Sequence, residues 1–190
     1  MATHMRCMLE TFGFIYIWIS ETVDNEETFL TVFKSILKKY YANKLRENLR
    51  NSSKMAIYCT FKNINTDFAC ENYLTWVIVK KHRKALSRLR LSCHSLALEI
   101  GRHINRTISE RICLFCKERD DIVLEDEFHF MCCCPTYNPL RKYYLSFEYG
   151  NYTLFVNIMS SNNNNIVQKV AAYAYQAYKL RSVLLQDNFM

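Results

Sequence analysis

The sequence predicts a mainly α chain, with a small cysteine- and histidine-rich insert set between its helices. Three observations carry this. Only three glycines and two prolines occur in 190 residues, too few turn-formers for a many-stranded β fold. Apolar residues recur at steps of three and four over several long stretches, the period of a helix buried on one side. Finally, Cys113-x2-Cys116, twelve residues, then His129-x4-Cys134 interrupts that periodicity with four metal-ligand side chains. Half of the residues are apolar, enough for a core, and one helical domain is expected over 1–190 with the insert at 111–135.

In chain order, residues 1–20 are apolar and aromatic. The run Phe12 to Ile19 is far below the ~20 residues that cross a bilayer, so no membrane segment is expected. Asp24-x-x-Glu27 reads as a capping box opening a helix over roughly 26–49, with Phe29, Phe33, Ile36, Leu37, Tyr40 and Leu45 on its buried side. Asn51-Ser52-Ser53 breaks it. Residues 54–65 suit a short helix or an extended piece. Thr66-Asp67 opens a helix carrying Phe68, Tyr73, Leu74, Trp76, Val77 and Ile78, to about 79.

The most basic element follows. Lys80, Lys81, Arg83, Lys84, Arg88 and Arg90 stand together without an acid. On a continuous helix from 80 to 100, Ala85, Leu89, Cys93, Leu96 and Ile100 fall on one side, the cations spread over the rest, and Gly101 ends the helix as a left-handed cap. Arg102, Arg106 and Arg111 lie just beyond. Nine basic residues against Glu99 and Glu110 give this stretch a net +7, equal to the formal charge of the whole chain. A solvated surface and a phosphate-binding surface both fit such a face.

The insert itself has the composition of a metal site. Two thiolates two residues apart grip an ion from one turn, and a later His and Cys close a tetrahedron, the arrangement of structural zinc. Three adjacent cysteines leave the fourth ligand open. A regular helix would put His129 and Cys133 on one face at i, i+4. Cys134 requires the chain to leave the helix there, which Pro135 favours by pushing its predecessor out of the α region. Cys134 is therefore preferred as ligand, with Cys133 and then Cys132 as the alternatives. The spacer is acidic (Glu118, Asp120, Asp121, Glu125, Asp126, Glu127). Hard oxygens compete poorly with thiolates, so a surface loop is expected, some of its acids capping the helix that carries His129 or pairing with the basic helix. Helices over 138–147, 151–160 and 164–186 complete the chain, the last with Ile166, Val170, Tyr173, Ala177, Leu180 and Leu184 in one seam. His82 falls near the apolar side of the basic helix, His94 on its polar side and His103 after its end, and none has a nucleophile partner at a telling spacing. Nine cysteines with five clustered at one metal-like site indicate a reducing, intracellular compartment, cytoplasmic or nuclear.

Lys81-His82-Arg83-Lys84-Ala85-Leu86-Ser87-Arg88-Leu89-Arg90, Glu99-Ile100-Gly101-Arg102, Arg111-Ile112-Cys113-x2-Cys116 and Glu125-Asp126-Glu127-x-His129-Phe130-x3-Cys134-Pro135-x-Tyr137-x2-Leu140-Arg141 together resemble the zinc-binding region at the C-terminus of non-LTR (LINE-like) retrotransposon reverse transcriptase polyproteins. The likeness extends over residues 12–183. It implies a zinc knuckle of Cys113, Cys116, His129 and Cys134. The Tyr-x-Asp-Asp type polymerase motif of that family is missing here and no endonuclease is evident, so the resemblance implies a fragment or remnant without catalytic activity.

Two functions are expected from this. One is a zinc-stabilised nucleic-acid-binding module, for RNA or DNA, contacting phosphates through Lys80, Lys81, Arg83, Lys84, Arg88, Arg90, Arg102 and Arg106. The other is a structural or protein-interaction helical domain whose zinc only stabilises it. A catalytic zinc keeps an open coordination position. Four protein ligands close this one, so neither an enzyme nor a small-molecule substrate is expected.

Overall fold

A computed structural model describes residues 2–52, 56–61 and 70–187. The described residues are mainly α-helical, and none lies in a β-strand beyond one isolated antiparallel bridge, Ile112 with Leu124. No described helix is long and apolar enough to cross a membrane. The described residues divide into two compact units, 2–51 and a second that takes 52, 56–61 and 70–187.

The first unit holds α1 (Ala2–Thr11), α2 (Ile15–Ser20) and α3 (Glu26–Asn51). Gly13 turns the chain between α1 and α2 at φ 82°, a conformation free of penalty only without a Cβ. The N-cap of α3 is Asn25, whose side chain accepts the Thr28 N–H at 2.9 Å. The N-cap therefore falls one residue after the expected Asp24. The Phe/Tyr stripe of α3 meets the first two helices edge to face: Phe12 lies 6.1 Å from Phe33 and 5.1 Å from Tyr40, and Phe14 lies 5.3 Å from Phe29. Edge-to-face rings at this separation add to the gain from burial.

The second unit is built along α11 (Asn164–Asp187). Its seam of Val167, Val170, Ala171, Tyr173, Ala174 and Ala177 is buried. Against it lie α5 (Tyr73–Trp76), α6 (Lys80–Arg90), α9 (Asn138–Leu145) and α10 (Tyr152–Met159), while α4 (Ala56–Phe61) packs on α10. Alanines at three of the seam positions let α6 and α9 approach closely. Most of the helix expected over 66–79 lies outside the described residues or is irregular. Only 73–76 is α-helical, and Val77 is already extended.

The basic helix departs most from expectation. It ends at Arg90, and a separate helix, α7 (Ala97–His103), follows. Cys93 N–H returns to Arg88 C=O at 2.8 Å and Ser92 N–H to Leu89 C=O at 3.4 Å, the paired bonds of a helix C-terminal Schellman motif. Ser92 fills the left-handed position at φ 48°, where glycine is usual. Its hydroxyl donates to Glu127 at 2.5 Å, and that bond holds the break in place. Cys93 and Ile100 are consequently exposed rather than buried, and His94 is buried rather than exposed. Gly101 sits inside α7, not at a cap. A Cβ there would lie 2.5 Å from Arg111 Cγ, so the glycine admits the Arg111 side chain.

Candidate metal centre

Cys113 and Cys116 come from the two ends of a short turn of helix, α8 (Leu114–Lys117). Cys113 is its N-cap residue at φ −68°, ψ 116°. The turn is clasped to the far limb of the insert by the Ile112–Leu124 bridge, with Cys113 N–H bonded to Val123 C=O at 2.8 Å and Glu125 N–H to Arg111 C=O at 3.0 Å. The limb then enters a π-helical turn, His129–Cys133. Asp126 caps it, accepting the His129 N–H at 2.7 Å, as expected for one of the spacer acids. Burial pushes the Asp126 carboxyl up, and that hydrogen bond opposes it.

The π turn settles which cysteine faces the histidine. Cys134 N–H bonds to His129 C=O at 2.8 Å, an i to i−5 bond that adds one residue to the turn. Cys134 then leaves the helix at ψ 121° ahead of Pro135. The ligand atoms of Cys113, Cys116, His129 and Cys134 all lie within 4.8 Å of one another, and all four residues are buried. Cys133 instead points toward the Gly150 carbonyl, 3.9 Å away. Cys132 is buried with its Sγ against Gly150.

The separations fit an ion at the centre. Cys113 and Cys116 sulfurs are each 3.9 Å from that of Cys134, and Cys116 Sγ is 3.4 Å from His129 Nε2. A tetrahedron with metal–sulfur bonds of about 2.3 Å and metal–nitrogen bonds of about 2.0–2.1 Å has edges of about 3.8 and 3.6 Å. A disulfide would need about 2.05 Å, and Cys113, Cys116 and Cys134 are all free thiols. The group can therefore hold a metal ion. Among themselves the ligands share protons unevenly. A hydrogen bond from the Cys113 thiol, opposed by burial, lowers Cys134 to about 4. Donating that bond pushes Cys113 well up, and burial raises Cys116 to about 11.

The acidic spacer is only partly a surface loop. Glu125 and Glu127 are buried at 1% and 0% exposure. Glu125 accepts two bonds from Arg181 of α11, at 2.9 and 2.7 Å, and the Ala97 N–H of α7 at 2.6 Å. Burial pushes the Glu127 carboxyl up, but bonds from His94 (2.8 Å) and Ser92 (2.5 Å) outweigh it and hold it below the usual carboxylate range. These two carboxylates fasten the insert to the end of α6, the start of α7 and α11. They do not pair with the basic face of α6.

That face is reduced from the expected set. Lys80, Lys81, Lys84 and Arg88 are exposed, and none is in an ion pair among the described residues. Arg90 is turned inward at 7% exposure, bonded to Met159 C=O at 2.5 Å and to Glu71 at 3.3 Å. It stands four residues after buried Leu86 and so belongs to the core side. Arg83 is half-buried, its Nη1 donating to the Leu74 and Val77 carbonyls at 3.1 Å each. Arg102 pairs with Glu99 at 2.8 Å. Arg106 is exposed on the loop after α7, its carbonyl held by Arg111. Lys81, Lys84 and Arg88 line a groove of about 550 Å³ between α6 and α11, with Lys179 on its other wall and Tyr175 and Tyr178 in its lining. Lys81 Nζ sits 4.8 Å over the Tyr175 ring. Lys179 and Tyr175 share a face of α11 at i, i+4, but nothing in the sequence pairs them with α6, roughly ninety residues upstream.

Compared with known protein families, curated proteins and solved structures, the chain matches none.

Proposed function

We propose that the chain is a zinc-stabilised nucleic-acid-binding module. Three sulfurs and one imidazole nitrogen, buried and at tetrahedral separations, are the donor set that zinc takes in closed structural sites. Cys113, Cys116, His129 and Cys134 would hold the ion. No open coordination position is left for a substrate, so its part is to stabilise the insert, and the chain acts by binding rather than by catalysis.

The observation that carries the binding reading is the groove between α6 and α11. Three cations of α6 and Lys179 of α11 converge on it, and no carboxylate is among its lining residues. Like charges so arranged repel one another unless an anion lies between them. The spacer acids that could have served as that anion are engaged elsewhere, Glu125 with Arg181 and Glu127 with His94 and Ser92. A phosphate backbone supplies repeated charge of the right sign, and Tyr175 offers a ring beside it. This reading agrees with the resemblance to the zinc-binding region of retrotransposon reverse transcriptases.

The test is a fluorescence-anisotropy titration of the purified chain against single-stranded RNA, single-stranded DNA and duplex DNA of mixed sequence. Binding that weakens steeply with salt, as counterion release requires, is expected. No binding to any of the three at 50 mM salt refutes the reading and leaves a structural or protein-interaction domain.

A further inference from the structure

We propose that Arg141 of α9 is the counter-charge of the metal centre. The inference rests on the reading of Cys113, Cys116, His129 and Cys134 as a zinc site. Three thiolates and a neutral imidazole around a divalent ion carry a net charge of −1. Such a centre is an anion taken out of water, and burying it is costly without a nearby cation.

Arg141 is fully buried, at 0% exposure. Its Nη2 donates to the backbone carbonyl of the ligand Cys134 at 2.7 Å, and its Nε to the carbonyl of Glu148 at 2.6 Å. Its Nη1 has no hydrogen-bond partner. The Tyr149 ring lies 5.7 Å from the guanidinium carbon. No carboxylate pairs with it among the described residues. A guanidinium brings a full positive charge and five N–H donors.

Other buried ion pairs of the same unit bring opposite charges together: Arg90 has Glu71, Glu99 has Arg102, and Glu125 has Arg181. Arg141 is the one buried cation among the described residues without an acidic side chain. A loaded metal centre would be a buried anion, and Arg141 is bonded to the backbone of one of its ligands. The two excesses are equal, opposite and adjacent. The competing account is that Arg141 only ties the Cys134 and Glu148 carbonyls together, a role that does not depend on the charge of the metal centre.

A mutant cycle on the full chain separates the two. Zinc affinity is measured by competition with a chromophoric chelator for the wild type, Arg141→Gln, Arg141→Lys, Cys116→His and Cys116→His/Arg141→Gln. Cobalt absorption confirms a tetrahedral site in each. Gln keeps hydrogen-bond donors without the charge. Cys116→His makes the loaded site neutral while leaving the Cys134 carbonyl in place. Arg141→Gln is expected to weaken zinc about 10–100-fold, the usual effect of losing a group behind the ligands. Arg141→Lys should recover most of the loss, and in the Cys116→His background Arg141→Gln should cost less than about threefold. An equal loss in both backgrounds, or a Lys variant as weak as the Gln variant, overturns the proposal. If Arg141→Gln does not fold, the Lys variant decides, with near-wild-type affinity expected and a loss above tenfold refuting. A wild-type chain that binds neither zinc nor cobalt fails one step earlier, at the metal site itself.

Discussion

Replacing Arg181 by Met should be among the most damaging single changes in the second unit. Glu125 is 1% exposed, and its carboxylate takes three donors: Arg181 Nε at 2.9 Å, Arg181 Nη2 at 2.7 Å and the Ala97 N–H at 2.6 Å. The Met variant removes two of the three and the only cation, leaving a buried carboxylate on one backbone bond. Breaking one side of a buried pair costs about 3–5 kcal/mol, a large share of the 5–15 kcal/mol typical of a whole domain. With a urea slope of roughly 1–3 kcal/mol per molar, the unfolding midpoint of the metal-loaded protein should fall by at least about 1 M. The double variant Glu125→Leu/Arg181→Met should be more stable than Arg181→Met alone, because the orphaned charge is gone and only the Ala97 bond is lost. A single variant that loses less than about 1 kcal/mol refutes the reasoning. So does a double variant less stable than the single.

Other outcomes follow from the same geometry. Cys134→Ser should lose the metal while Cys133→Ser and Cys132→Ser keep it, read as zinc per chain by elemental analysis. Metal affinity should rise with pH. At neutrality Cys134, lowered to about 4, has already given up its proton, whereas Cys116, raised to about 11, and Cys113, pushed higher still, have not. Two protons must leave, so competition titrations between pH 6 and 8 should show up to about a hundredfold tighter binding per unit, lost again as pH falls. Replacing Lys81, Lys84 and Arg88 by Gln should weaken nucleic-acid binding on all sequences and flatten the log-affinity against log-salt slope by roughly 0.7–0.9 per lost contact. The melting temperature should barely move, since these cations are exposed. Gly101→Ala drives a Cβ to 2.5 Å from Arg111 Cγ and should destabilise by about 1–3 kcal/mol, as overpacking does, measured by thermal unfolding.

The group that could hold a metal was readable because its chemistry and spacing are local, and because Pro135 acts on the residue beside it. The π turn that brings Cys134 over His129 has no sequence signature, so only the proline and the resemblance pointed to Cys134. The break after Arg90 could not be read. A serine at a left-handed position looks like any serine, and Glu127, which holds it there, stands 35 residues away. Past that point the helical count put Cys93, His94 and Ile100 on the wrong side, although Leu96 is buried as expected. Arg90 and Arg83 looked like surface cations because periodicity gives direction but not the carbonyls that a long side chain can reach. Glu125 and Glu127 were hidden for the opposite reason. Carboxylates in a run of acids read as solvated, and only tertiary partners such as Arg181 and His94 turn them inward.

The π turn at His129–Cys133 has a consequence for insertions and deletions. It is a helix carrying one residue more than an α-turn needs. Loss of any one of the four residues between His129 and Cys134 would leave a cysteine, still followed by proline, at the fourth position after the histidine. An ordinary α-turn presents that position on the same face as the histidine. The three-cysteine run is thus a reading frame with slack in it. A one-residue deletion there exchanges one helical geometry for another while the thiol still faces the imidazole.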